Sequence, residues 1–242
     1  FSDPRVRRAL TMLIDREAIA RTLYGGLARP ANGPLPPGLW AYDPTLAPLP
    51  YDPAKAAALL EESGWKKGKD GVRAKGGSRF AFTLSFGSAN DRQRQILELS
   101  QRAFREAGIE ANLAPLEWGA FVEKVDAGDY EACSLSLTLD PNPDLRPNWH
   151  STQVPPAGMN NAFYRNPRAD ALMDEIAATF DRGKAKALYA ELQRVIADDQ
   201  PFTFLHTVSV AWGVRDRVGN VRTSPVGLWL FWPGGAGWQP VR

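Results

Sequence analysis

The sequence is poor in the residues on which metal and cofactor chemistry most often rests. Cys133 is the sole cysteine in 242 residues, which excludes an internal disulfide and any cysteine-rich zinc site. His150 and His206 are the only histidines and stand far apart, with no ligand-like spacing around either. Charge of one sign is lacking too. The 29 basic and 27 acidic side chains are scattered and leave a net charge of +2, so there is no concentrated basic face for a phosphate backbone, and nucleic acid is not an expected partner. No apolar run approaches the roughly 18–20 residues that cross a bilayer.

Catalytic motifs are missing as well. The sequence has no Gly-x-Ser-x-Gly elbow, no Gly-x-x-x-x-Gly-Lys phosphate loop and no dinucleotide fingerprint behind a strand. Pro233 to Gly237 is glycine-rich, but no helical pattern follows to supply an anion-binding N-terminus, so it reads as a flexible turn. The carboxylate pairs Glu61-Glu62 and Asp198-Asp199 fall at helix ends and read as solvated. The expectation is a protein that is not an enzyme and carries no cofactor and no metal.

What is present is a core. Hydrophobic residues make up 44% and charged residues 23%, enough to bury an apolar interior against the entropy of ordering the chain. The chain opens directly on a helix start, Asp3 as N-cap and Pro4 in the first turn, an abrupt beginning that reads as a fragment. A helix is expected over residues 4–23, with Val6, Ala9, Leu10, Leu13 and Ile14 on one face, closed by Gly25-Gly26. Eight prolines between Pro30 and Pro53 make that stretch a long loop. A helix follows from Asp52-Pro53 to Gly64, then a hairpin turn between Gly68 and Gly77.

The next stretch is the most regular. Strands are expected at 80–86, 109–116 and 130–137, separated by helices at 91–107 and 118–127. This alternation with short joints points to an α/β layer with parallel neighbours. Beyond a proline-rich loop over 140–156, helices are expected near 168–180 and 184–198, then a strand-like tail over 202–221 and an aromatic return over 229–238.

In an open α/β sheet, ligands bind beyond the carboxyl ends of the strands. The run Asp140-Pro141-Asn142-Pro143-Asp144 lies just past the third expected strand, where a carboxylate could hold a cationic group. The same residue types beside prolines also form turns, and composition does not choose between the two. Among the eight tryptophans, Trp40, Trp118 and Trp149 fall in or beside loops, where aromatic rings line ligand clefts as well as pack cores. Trp229, Trp232 and Trp238 read as core or interdomain packing.

Several segments resemble the second lobe of family 5 solute-binding proteins, the oligopeptide, dipeptide and nickel-binding class served by ABC importers. They are Asp3-Pro4-Arg5-Val6-Arg7-Arg8-Ala9-Leu10 with Ile14-Asp15-Arg16-Glu17-Ala18-Ile19, and Tyr51-Asp52-Pro53-Ala54-Lys55-Ala56 with Leu59-Leu60-Glu61-Glu62-Ser63-Gly64. Further along come Gly108-Ile109, Trp118 with Phe121, Trp149-His150-Ser151, Asn161, and Tyr164-Arg165-Asn166-Pro167 with Asp170. The resemblance implies a periplasmic-binding-protein type II lobe, α/β, with a mixed, mostly parallel sheet flanked by helices. Residues 1–222 would form the second lobe and 223–242 a return toward a first lobe missing from this chain. The implied partners are a peptide or other small solute, that first lobe and the permease subunits of the membrane, and the implied location is periplasmic or extracytoplasmic.

Peptide-binding members carry Trp-x-x-Asp after a strand, the aspartate holding the peptide's amino group. Here Leu137-Thr138-Leu139-Asp140 stands in that place, so the aspartate is kept and the aromatic is not. Dipeptide-type members place an arginine for the ligand carboxylate just before the helix matching 91–107. Phe86-Gly87-Ser88-Ala89-Asn90 has none, which argues against a dipeptide preference, and two histidines argue against nickel ligation. Asp140 leads the expected ligand contacts, followed by Asn142, Trp118 and Trp149. A non-transport receptor or chaperone on the same scaffold is the alternative, with an α/β hydrolase-like enzyme behind it.

Overall fold

The computed structural model describes residues 1–138, 143–224 and 234–241. The chain starts with α1 (Pro4–Met12) and α2 (Arg16–Tyr24), followed by β1 (Ala28–Pro30) and the proline-rich loop. The single helix expected over 4–23 is therefore two helices. Its apolar face is buried as expected, but the Asp15 carboxylate accepts from the Ala18 amide and starts a new helix at Arg16. Gly25, at φ 55°, closes α2 in the left-handed conformation.

α3 (Pro53–Glu62) is capped by Asp52 and leads into an antiparallel meander, β2 (Lys66–Lys67), β3 (Arg73–Lys75) and β4 (Ser78–Arg79). The expected hairpin thus contains two turns rather than one. Gly108, at φ +85°, lies so close that an added Cβ would stand 2.5 Å from the Gly71 carbonyl oxygen. This approach lets the Arg73 amide reach the Gly108 carbonyl at 2.7 Å.

The α/β layer follows: β5 (Ala81–Gly87), α4 (Asp91–Glu106), β6 (Glu110–Leu116), α5 (Trp118–Asp126) and β7 (Ala132–Cys133). The sheet order is β6-β5-β7 and both pairings are parallel, as the strand–helix alternation predicts. β5 and β6 pair along seven residues, from Ala81↔Glu110 to Gly87↔Leu116. The third strand, expected over 130–137, is reduced to two residues. It meets only Leu84 and Ser85 of β5, and among the described residues no strand covers its other edge.

Beyond the loop come α6 (Arg146–Trp149), α7 (Pro167–Ala177) and α8 (Arg182–Asp199), the last two capped by Asn166 and Asp181. The strand-like tail yields only β8 (His206–Val208), which pairs with β1, and β9 (Val218–Gly219), which pairs with β10 (Gln239–Pro240). The first half of the expected aromatic return, including Trp229 and Trp232, lies outside the described residues.

Two hydrophobic clusters form the interior. One joins α1, α3 and α4 to the sheet through Leu10, Ile14, Leu60, Phe82, Phe86 and Phe104. The other joins the proline-rich loop to α6, α7 and α8 through Leu35, Trp149, Leu172, Leu192 and Ile196. Buried Arg16 links the two, donating to the carbonyls of Ala31 (3.0 Å), Phe204 (2.6 Å) and Leu49. Burial pushes its guanidinium down to about 10.

Candidate functional site

The carboxyl ends of β5, β6 and β7 form one edge of the parallel sheet. The two longer strands stop level with each other, and the Ser88 amide then donates to the Leu116 carbonyl at 2.8 Å. α4 starts behind β5, where Asn90 Oδ1 accepts from the Gln93 amide at 3.0 Å. α5 starts behind β6, where Glu117 Oε2 accepts from the Gly119 amide at 2.7 Å. The polar caps turn the chain sharply at each strand end and bring the first side chains of both helices to the same edge.

Trp118 is the first residue of α5 and is 61% exposed. Its ring leans on Phe121, centroid to centroid 5.8 Å, and on Gly87, where an added Cβ would stand 3.0 Å from the ring. The sequence expectation of an aromatic beside a strand end is met by a ring whose back is packed and whose face is open. On the opposite face of the sheet, Arg94 reaches back from the first turn of α4. Its guanidinium lies 5.8 Å from the centroid of Phe86, and Nη2 donates to the Ser88 carbonyl at 3.3 Å. Arg94 forms no ion pair among the described residues, so most of its N–H groups are available.

Sequence reading missed Arg94 because it sought an arginine within residues 86–90. The guanidinium comes back over that stretch from the helix, and the strand-to-helix spacing is the signal that could have found it. Gln93 adds a second link, its Nε2 donating to the carbonyl and hydroxyl of Ser134, both at 2.9 Å. This bond holds the chain as it leaves β7 toward Asp140. Asp140 and Asn142 themselves lie outside the described residues. On the far side of that segment, the Tyr189 hydroxyl donates to the Pro143 carbonyl, and Asp144 Oδ1 accepts from the Arg146 amide at 2.9 Å.

Trp149 is placed elsewhere. It has no exposed surface and packs between Phe202, at 4.6 Å, and Phe204 and Tyr164, at 5.9 and 6.3 Å between centroids. The expectation that it lines the cleft is corrected: Arg146-Pro147 opens a short helix that turns the ring into the second cluster, leaving no face for a solute.

The segments that carried the resemblance meet in space. Ser151 donates from its amide and hydroxyl to Asp170, at 2.9 and 2.6 Å. Tyr164 and Asn166 both donate to Asp199 Oδ2, at 2.6 and 2.7 Å, while Arg7 donates to the Asp199 and Gln200 carbonyls at 2.8 and 3.1 Å. They form a structural brace joining α1, α7 and the end of α8. The two histidines are likewise engaged. His150 Nδ1 lies 2.8 Å from the Thr152 hydroxyl, and His206 Nε2 donates to the Arg16 carbonyl at 2.9 Å. Among the described residues, no group of three or more His, Cys, Asp or Glu is placed to hold a metal ion.

The fold is a parallel α/β lobe with an aromatic and a cationic side chain, Trp118 and Arg94, at its carboxyl edge. Residues 1–156 match the family described as "Bacterial extracellular solute-binding proteins, family 5 Middle", and the chain belongs to this family. It is 34% identical over 211 residues to the oligopeptide-binding protein AppA of Bacillus subtilis, covering 85% of this chain and 39% of that protein. It is 30% identical over 239 residues to the glutathione-binding protein GsiB of Pectobacterium atrosepticum, covering 96% of this chain and 44% of the relative. The solved structure of Bacillus subtilis AppA, in complex with a nonapeptide, superposes with a TM-score of 0.84 at 30% identity, covering 100% of this chain and 48% of that one. The chain spans less than half the length of these relatives.

Proposed function

We propose that this chain is one lobe of the solute-binding component of an ABC importer. The full receptor captures a peptide or a related small solute between two lobes, outside the cytoplasmic membrane, and delivers it to a permease. Residues 1–222 would make up the lobe and residues 223–242 the return toward its partner. The protein performs no catalysis in this reading. The observation that carries it is the edge formed by Trp118 and Arg94 at the strand ends, on a chain whose family relatives include proteins named for oligopeptide and glutathione binding. Asp140, with Asn142 beside it, would hold a cationic end of the solute, Trp118 would supply an apolar platform, and Arg94 would meet a carboxylate.

The test is native mass spectrometry of the full-length receptor, purified without denaturation, beside its Asp140→Ala variant. A co-purified peptide that the variant loses supports the reading. A non-peptide mass, or a peptide retained equally by the variant, overturns the assignment of Asp140. A non-transport receptor on the same scaffold would retain its solute but show no permease dependence in uptake.

A further inference from the structure

The β2–β4 meander gathers charge that is balanced over the chain as a whole. Residues 66–79 hold six basic side chains and one acidic one, while the chain carries a net charge of only +2, so the remainder is net acidic. The fold sets this stretch at the amino ends of the parallel strands. Arg79 ends β4 two residues ahead of β5 and donates to Glu110, the first residue of β6, at 2.8 and 3.1 Å. Trp118 and Arg94 stand at the carboxyl ends, about 20 Å away along the strands.

Two of the six cations are engaged within the fold. Buried Arg73 donates to Glu61 Oε1 at 2.6 Å and to the carbonyls of Trp65 and Ala107 at 2.7 and 2.8 Å. Arg79 lies between Glu110 and Asp70, so the one carboxylate of the meander is taken too. Lys66, Lys67, Lys69 and Lys75 remain, all exposed, and none forms an ion pair among the described residues. Lys67 reaches only the Glu106 carbonyl, at 3.5 Å, which leaves its charge uncompensated. Exposed Arg105 and Glu106, side by side at the end of α4, cancel each other. Asp3, which feels the Lys75 charge, is itself paired with Arg5, and exposed Glu62 at the end of α3 offsets one ammonium at most.

We propose that the meander docks the receptor on the anionic phospholipid surface of the membrane, its four free lysines meeting headgroup phosphates while the solute edge stays open. This rests on the reading of the chain as part of a receptor working outside the cytoplasmic membrane. Ammonium groups spread over the outside of a meander enclose no small ligand and fit an extended anionic surface. Nucleic acid fits less well, because the aromatic neighbour of the patch, Trp65, packs on Phe80 at 4.4 Å between centroids and offers no ring for a base. Attraction of this kind is weak per lysine and screened by salt, so it holds the receptor near its permease without fixing it there.

The test is co-sedimentation of the full-length receptor with vesicles of pure phosphatidylcholine and with vesicles that also contain phosphatidylglycerol, at physiological ionic strength. Partition onto the anionic vesicles is expected to exceed that onto the neutral ones at least about tenfold, and to fall at least about twentyfold in the variant Lys66→Gln/Lys67→Gln/Lys69→Gln/Lys75→Gln. Added salt should weaken binding of the parent and leave the variant little changed. Equal partition onto both vesicle types, or a variant that binds as the parent does, overturns the proposal. Tighter binding to a single-stranded oligonucleotide than to anionic vesicles at the same salt also overturns it. Should the fourfold variant not fold, Lys66→Gln/Lys69→Gln takes its place, with an expected loss of at least about fivefold. Solute capture, read by native mass spectrometry on the same preparations, separates the two readings. A receptor that holds solute and ignores anionic vesicles overturns the docking alone, and one that docks but captures no solute overturns the transport reading alone.

Discussion

The Tyr164 hydroxyl donates a 2.6 Å hydrogen bond to Asp199 Oδ2, and through it the loop before α7 is held to the end of α8. Asn166 Nδ2 donates to the same oxygen at 2.7 Å. Burial first, and this contact with Asp199 second, raises the Tyr164 phenol above its ordinary value, so it remains a donor at all moderate pH. Tyr164→Phe removes one bond to a charged acceptor and is expected to destabilise by about 1.5–2 kcal/mol. Urea unfolding should show a lower midpoint at unchanged slope, and a midpoint equal to the parent's would remove Tyr164 from the brace.

The two tryptophans proposed from sequence are expected to separate by experiment. Trp149 is wholly buried, and Trp149→Ala should lose about 3–5 kcal/mol of stability through the cavity it leaves. Trp118 is mostly exposed, and Trp118→Ala should change stability by less than about 1 kcal/mol while weakening solute binding in the full receptor. Equal thermal shifts for the two variants would contradict these placements.

Arg94 can be tested by charge and by shape. Arg94→Ala should weaken binding of a solute that carries a free carboxylate at least tenfold, and leave binding of its amidated counterpart nearly unchanged. Arg94→Lys should recover only part of the affinity, since an ammonium lacks the planar fork of the guanidinium. Calorimetry with the acid and amide forms of one peptide decides, and equal losses for both forms would show a packing role instead.

Stability should fall on mild acidification. Burial of His206 lowers its imidazole below the ordinary value of about 6.5, its bond to the Arg16 carbonyl opposes the shift, and the Arg16 charge adds to it. The unfolded chain therefore takes up a proton that the folded chain resists. The contribution is fully present above about pH 6.5 and is lost as pH falls through the lower folded value. Urea midpoints at pH 7.5 and 5.5 should differ in the parent and differ less in His206→Gln, which keeps a donor for the Arg16 carbonyl. An undiminished difference in the variant would assign the acid sensitivity to other groups.

Gly108 is constrained both by its own φ of +85° and by the Gly71 carbonyl. Gly108→Ala should destabilise by more than about 1 kcal/mol, the usual effect of a side chain placed at positive φ, because the meander must also move. A melting temperature equal to the parent's would show that the β2–β4 meander yields freely.

Local chemistry was legible from the residues alone. Asp3 and Asp52 announce helix starts because short polar side chains satisfy free amides at no distance in sequence. The alternation from Phe80 to Trp118 announced a parallel layer because side-chain period and joint length are both local. The break at Asp15 was legible in principle, since an N-cap stands in the middle of the apolar face, but helical periodicity outweighed it.

What tertiary structure alone decided are the relations between distant segments. Trp118 and Trp149 are both aromatic residues near loops, and only packing made one an open platform and the other the centre of a core. Arg94 reached the end of β5 because the turn at Asn90 folded the helix back, a direction that no spacing rule states. β7 is two residues long because a strand is defined by its partners, and among the described residues β7 pairs only with Leu84 and Ser85 of β5. Sequence fixes what each residue can do with its neighbours along the chain. Which side chains are left facing solvent depends on contacts between residues far apart in sequence, and those exist only once the chain has folded.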